Sequence, residues 1–160
     1  MPEIRLETFI AAPVERCFDL SRSIDLHKVS LEHTGEKAID GKTSGLIEKG
    51  EFVTWEARHF GVKQKLSVKI TELKPPGYFC DEMTKGAFKI MRHEHFFECR
   101  DGGTLMIDKF YYEVPFWIFG AGFDYFVLKN YMRRLLESRN KTIKQFAESD
   151  EWKKVLKVKK

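Results

Sequence analysis

The stretch KIMRHEHFFE, residues 89–98, sets His93 and His95 one residue apart inside an apolar run, with Arg92 and Glu94 interleaved. On a strand, alternate residues share a face about 7 Å apart, so both imidazoles would stand side by side. Three chemistries fit such a pair. With a third ligand from His59, Asp81 or Asp108 it would make an open metal site. With a buried carboxylate to hold one tautomer and raise its pKa, it would shuttle protons near neutrality, as cyclisation, dehydration or hydration requires. With neither, it would hold the carbonyl or hydroxyl of a bound molecule. H-x-H alone is a weak metal signal, so the expectation is no metal and no cofactor. The cysteines offer no nucleophile: Cys80 and Cys99 fall on strands without an evident base, and Cys17 lies on the apolar face of a helix, where a thiol behaves as a small hydrophobe.

The elements that must position these groups follow from periodicity. From Gly35 to Val114 each segment alternates as a strand does, and Asp40-Gly41, Gly61, Pro75-Pro76-Gly77 and Asp101-Gly102-Gly103 read as turns. Loops this short suit an antiparallel meander. Alternation sorts the faces. Trp55 and His59 point inward with Val53 and Ala57; Gln64 shares a face with Leu66, Val68 and Ile70; Phe79, Asp81 and Met83 share another. In the next strand Met91, His93, His95 and Phe97 form the less charged face, which leaves Arg92 and Glu94 to solvent. In the last, Met106, Asp108, Phe110 and Tyr112 are the more apolar set, and the DGG hairpin brings Asp108 opposite His95. The result is an aromatic wall with a polar patch, the general make-up of a small-molecule site.

Around this sheet, EIRLETFI alternates as a first strand, Pro13 opens a short helix, and Ser23 is placed to cap a second that runs to about His33. After Pro115 the period becomes helical. Phe123, Val127 and Tyr131 lie on one line and Leu128, Met132, Leu136, Arg139, Ile143 and Phe146 on another, a wide stripe on one long C-terminal helix. Phe123, Val127 and Tyr131 are expected to complete the cavity wall.

This order of elements, an α+β arrangement, resembles the START-like or SRPBCC superfamily of polyketide cyclase/dehydrase-like and ligand-binding proteins. The resemblance spans residues 3–148 and is carried by ETFIAAPVERCFDLSRSIDLH, WEARHFGVKQKL, FCDEMTKGAFKIMRHEHFFE, and DGGTLMIDKFYYEVPF leading into ESRNKTIKQF. It implies a helix-grip fold, in which a curved antiparallel β-sheet wraps a long C-terminal helix, with a cavity between them for a hydrophobic or amphipathic small molecule that is lipid-, polyketide- or isoprenoid-like. The same fold carries both carriers and catalysts, so binding without chemistry is the favoured reading. A cyclase- or dehydratase-like enzyme using His93 or His95 with Asp108 is the alternative. Residues 116–122, FWIFGAG, are bulkier than the small, Gly-rich entry common there and would narrow the mouth of the cavity.

Composition bounds the rest. The 160 residues suit one domain, residues 1–148, followed by a basic tail, residues 149–160. The net charge of +4 comes mainly from that tail, where five Lys face Asp150 and Glu151; a nearly neutral body has no basic stripe for nucleic acid. Trp152, Val155, Leu156 and Val158 among the lysines could touch an anionic membrane surface, but a solubilising end is the simpler reading. No apolar run reaches membrane-spanning length, and MPEIRLETFI is too charged for a signal peptide, so a bacterial cytoplasmic setting is expected.

Overall fold

The computed structural model describes residues 3–117 and 125–156. Strand β1 (Glu3–Ile10) is followed by α1 (Val14–Ser21), which starts behind Pro13, whose carbonyl accepts from the Cys17 amide. Val14, Cys17, Phe18 and Ser21 are buried, as their helical spacing requires. Ser23 caps α2 (Ile24–Ser30) by accepting from the Leu26 amide at 3.1 Å. The helix ends earlier than the expected His33. Ser30 turns its hydroxyl onto the His27 carbonyl (2.8 Å), competing with the backbone, and a 3₁₀ turn (Glu32–Thr34) follows.

Six strands then run as a meander: β2 (Lys37–Gly41), β3 (Phe52–His59), β4 (Val62–Lys74), β5 (Tyr78–Lys85), β6 (Ile90–Arg100) and β7 (Gly103–Glu113). Asp40-Gly41 is not the turn its composition suggests. Gly41 pairs with Val53 at the end of a bulged β2; its φ is +74°, and a Cβ there would lie 2.2 Å from the Phe52 carbonyl oxygen, so only glycine fits. The β3–β4 hairpin closes through Phe60 and Gly61, both at positive φ (53° and 75°), the twist that a two-residue loop needs.

All neighbouring strands are antiparallel, in the order β1-β7-β6-β5-β4-β3-β2, so β1 and β2 form the two edges of a seven-stranded curved sheet. Helix α3 (Tyr125–Ala147) packs against α1, α2 and β1 and turns Leu136, Arg139, Asn140 and Ile143 into the interior. The chain thus has the α+β helix-grip arrangement. A last short helix, α4 (Trp152–Val155), folds back: the Arg16 guanidinium lies 4.2 Å over the Trp152 ring, and Val155 and Leu156 pack against the core. Val158 and Phe123 lie outside the described residues. No helix among the described residues is long and apolar enough to cross a membrane.

Candidate functional site

Between the sheet and α3 lies a cavity of about 460 Å³, within the size range of small-molecule sites. Its wall is mostly apolar, and two groups of polar side chains interrupt it.

The first group is built on β5, β6, β7 and α3. Met91, His93, His95 and Phe97 all point inward, while Arg92 and Glu94 lie on the other face. The Phe79 and His95 rings stack (4.0 Å, 12°), the His95 and His93 rings follow at 3.7 Å, and Phe110 meets His93 edge-on. Phe79, His95 and His93 thus form a row across β5 and β6, and the apolar ring at each end fixes the imidazole planes.

Register puts His95 opposite both Phe79 and Asp108, and His93 opposite Asp81 and Phe110. The expected His95–Asp108 bond nonetheless gives way to two shorter diagonal ones. His93 Nε2–H donates to Asp108 Oδ1 (2.8 Å), and His95 Nε2–H donates to Asp81 Oδ1 (2.7 Å), while His95 Nδ1 stays 3.3 Å from Asp108 Oδ1. A residue that the motif reading passed over accounts for the change. Arg139 of α3 donates through Nη2 to His95 Nδ1 (3.2 Å), so the hydrogen of that ring sits on Nε2, directed at Asp81. Arg139 Nη1 also reaches Asp108 Oδ1 (3.3 Å) and Asn140 Oδ1 (2.9 Å), and Asn140 Nδ2 donates to Asp108 Oδ2 (2.7 Å).

Asp108 is fully buried behind the histidines and does not reach the cavity; it holds His93 and Arg139 in place. Burial pushes its carboxyl up, but the bond from His93, the adjacent His95 ring and the Arg139 charge outweigh this and keep it well below the usual carboxylate range. Asp81 follows the same logic, with burial opposed by the bond and charge of His95, and ends lowered. Burial, with His95 beside it, pulls His93 down to about 4, so this ring is neutral at pH 7.

The second group lies toward the β2–β3 edge. His59 Nδ1 and the Tyr131 hydroxyl of α3 share a 2.6 Å hydrogen bond, and burial lowers the pKa of His59. His27 of α2 packs against the Trp55 ring (4.3 Å, tilted by 37°) and bonds Glu36 Oε1 through Nε2 (3.2 Å).

Of the residues singled out from sequence, Trp55, His59, Gln64, Phe79 and Asp81 border the cavity, as do Met91, His93, His95, Phe110 and Tyr131. Others point inward without reaching it. Phe97 and Met106 lie under α1, against the Phe18 ring (5.4 Å) and the Ser21 hydroxyl (3.5 Å). Tyr112 is packed between Phe88 and Phe110, and Met83 sits against the Gly86 turn. Val127 is 53% exposed, because α3 presents Leu128, Tyr131, Met132 and Leu135 to the cavity instead. Arg139, Asn140, His27 and Glu36 were missed. Arg139 carried a usable signal, a lone cation inside an apolar helical stripe; Glu36, in a loop, carried none.

Asp81, His93 and His95 offer donor atoms within 4.8 Å of one another, the geometric minimum for a metal site. Each histidine already gives its Nε2 hydrogen to a carboxylate, and a guanidinium nitrogen faces His95 Nδ1. A divalent cation would have to break both bonds beside that fixed positive charge, so the residues present do not fit one well.

No protein-family model matches the chain, and no curated protein does. Solved structures match well. TTHA0849 from Thermus thermophilus is 22% identical with a TM-score of 0.73, over 90% of this chain and 95% of its own. Major latex-like protein 151 from Panax ginseng is 14% identical with a TM-score of 0.67, over 92% and 98%. The di-domain ARO/CYC BexL of the BE-7585A biosynthetic pathway is 16% identical with a TM-score of 0.72, over 92% of this chain and 50% of that one. The strand order, the long C-terminal helix and these likenesses together give the chain a START/SRPBCC-like fold.

Proposed function

We propose that the protein binds a hydrophobic or amphipathic small molecule between its sheet and α3. The single observation that carries this is the cavity of about 460 Å³, apolar over most of its wall and equipped with a few fixed polar groups. A protein with no use for such a space would be expected to fill it, since unfilled apolar volume costs stability. The setting that goes with this reading is cytoplasmic, in keeping with Cys17, Cys80 and Cys99 all being free. Binding of N-phenyl-1-naphthylamine, a neutral apolar fluorophore, tests it. The protein should bind the dye with micromolar affinity, and Leu66→Trp, which places bulk on the cavity wall, should weaken binding at least tenfold with the fold intact by circular dichroism. Equal binding by both proteins would count against the cavity.

A second reading, proton transfer of a cyclase or dehydratase kind, is favoured by one observation: His93 and His95 border the cavity, and burial keeps His93 neutral and therefore able to accept a proton. Its Nε2 hydrogen is held by Asp108, which leaves Nδ1 with the lone pair. In this reading His93 is the base and Asp108 its positioning partner, while Asp81, held through Oδ1 by His95, has Oδ2 left to accept from a substrate hydroxyl. Substituting His93 by Gln should then abolish turnover and leave ligand affinity nearly unchanged, whereas a pure binder loses only affinity.

A further inference from the structure

Glu36 lies just ahead of β2 with a side chain only 7% exposed, and it borders the cavity. His27 occupies Oε1; Oε2 is buried with no hydrogen-bond partner among the described residues. A buried carboxylate oxygen without a donor is costly, so the corner is incomplete as it stands. Around it are aromatic faces. His27 packs tilted against the Trp55 ring, Tyr131 lies 4.5 Å from the Phe60 ring, and the charge of Glu36 is felt at both His59 and Tyr131.

The charge of the cavity as a whole points the same way. Among the described residues, three carboxylates, Asp81, Asp108 and Glu36, stand in or just behind its wall, against one buried guanidinium, Arg139. Arg22, which also borders the cavity, is already held by Asp19 and Glu48, and Lys65 is exposed. His93 and His59 are neutral at pH 7.

We propose that the ligand carries a positively charged nitrogen, which donates to Glu36 Oε2 among the rings of Trp55, His27 and Tyr131 while its apolar body runs toward His93 and His95. This deepens, and rests on, the reading of the cavity as a small-molecule site. Carboxylate and aromatic faces together are the combination that recognises an ammonium group. Glu36 lies just ahead of β2 and the two histidines lie on β6, with β3, β4 and β5 between them, so the body of the ligand runs across those strands. A fatty acid or other carboxylate-headed amphiphile would bring a further negative charge to a corner that already lacks a donor.

Isothermal titration calorimetry at pH 7 with dodecylamine, dodecanol and dodecanoate, each below its micelle-forming concentration, tests the assignment. A charge-assisted hydrogen bond corresponds to roughly 10- to 100-fold in affinity, so dodecylamine should bind that much tighter than dodecanol, and dodecanoate weakest. Glu36→Gln should erase the preference for the amine, so that dodecylamine and dodecanol bind about equally, and an unchanged circular-dichroism spectrum reports that the variant is folded. Equal or tighter binding of dodecanoate, or an amine preference that survives Glu36→Gln, overturns the head-group assignment while the cavity reading stands. If none of the three amphiphiles binds, the cavity reading falls and the assignment falls with it.

Discussion

The two polar regions of the cavity differ in completeness. At the β5–β7 end, Asp108 accepts on both oxygens, from His93, Arg139 and Asn140, and His95 is engaged at both ring nitrogens. At the β2–β3 edge, Glu36 keeps one oxygen bare. The first region would hold its shape empty; the second is finished only by something brought to it. The contrast separates groups that build the cavity from groups that select what enters it, although both are polar, largely buried and rich in histidine.

Breaking the first region should have the largest effect. Asp108→Ala leaves Arg139 uncompensated in the interior and should cost about 3–5 kcal/mol by denaturant unfolding. Adding Arg139→Met to it should recover part of that loss, because no unpaired charge then remains; a purely additive double variant would argue against the coupling.

Acid should act on the same region next. His93 has a folded pKa, about 4, below its ordinary 6.5, so the unfolded chain takes up a proton first as pH falls. Stability is full above about 6.5 and is lost progressively down to about 4, on the order of 3 kcal/mol, or about 10 °C in Tm. Asp81 and Asp108, whose folded values lie below 3.8, add a further loss as pH drops below that value. A melting temperature that stays flat from pH 7 to 4 would contradict the burial of a neutral His93.

In the second region Tyr131→Phe removes one hydrogen bond to His59 and should cost about 1 kcal/mol in a thermal melt. Glu36→Gln should change stability least, by under about 1 kcal/mol, because it loses only a half-satisfied carboxylate. If Glu36→Gln proved as damaging as Asp108→Ala, the distinction between the two regions would be lost.

The fold was legible because its signals are local and repeated. Inward alternation of Met91, His93, His95 and Phe97, capping by Ser23, and the stripe from Leu128 to Phe146 each follow from spacing within one element. The site was legible only as far as strand faces go. Which histidine meets which carboxylate depends on diagonal reach and on Arg139, thirty-one positions beyond Asp108, and no single strand encodes that. Likewise alternation identified Phe97, Met106 and Tyr112 as inward but could not show that α1 and neighbouring rings cover them. Glu36 was invisible for the same reason: its environment is assembled from α2, β3 and α3.

Native mass spectrometry of the purified protein, before and after equilibration with N-phenyl-1-naphthylamine, tests most directly whether the cavity takes a small apolar molecule. The expected result is a one-to-one adduct on the wild-type chain, either co-purified and lost on denaturation or formed on adding the dye, and no dye adduct on Leu66→Trp. A bare chain mass under all of these conditions would contradict it.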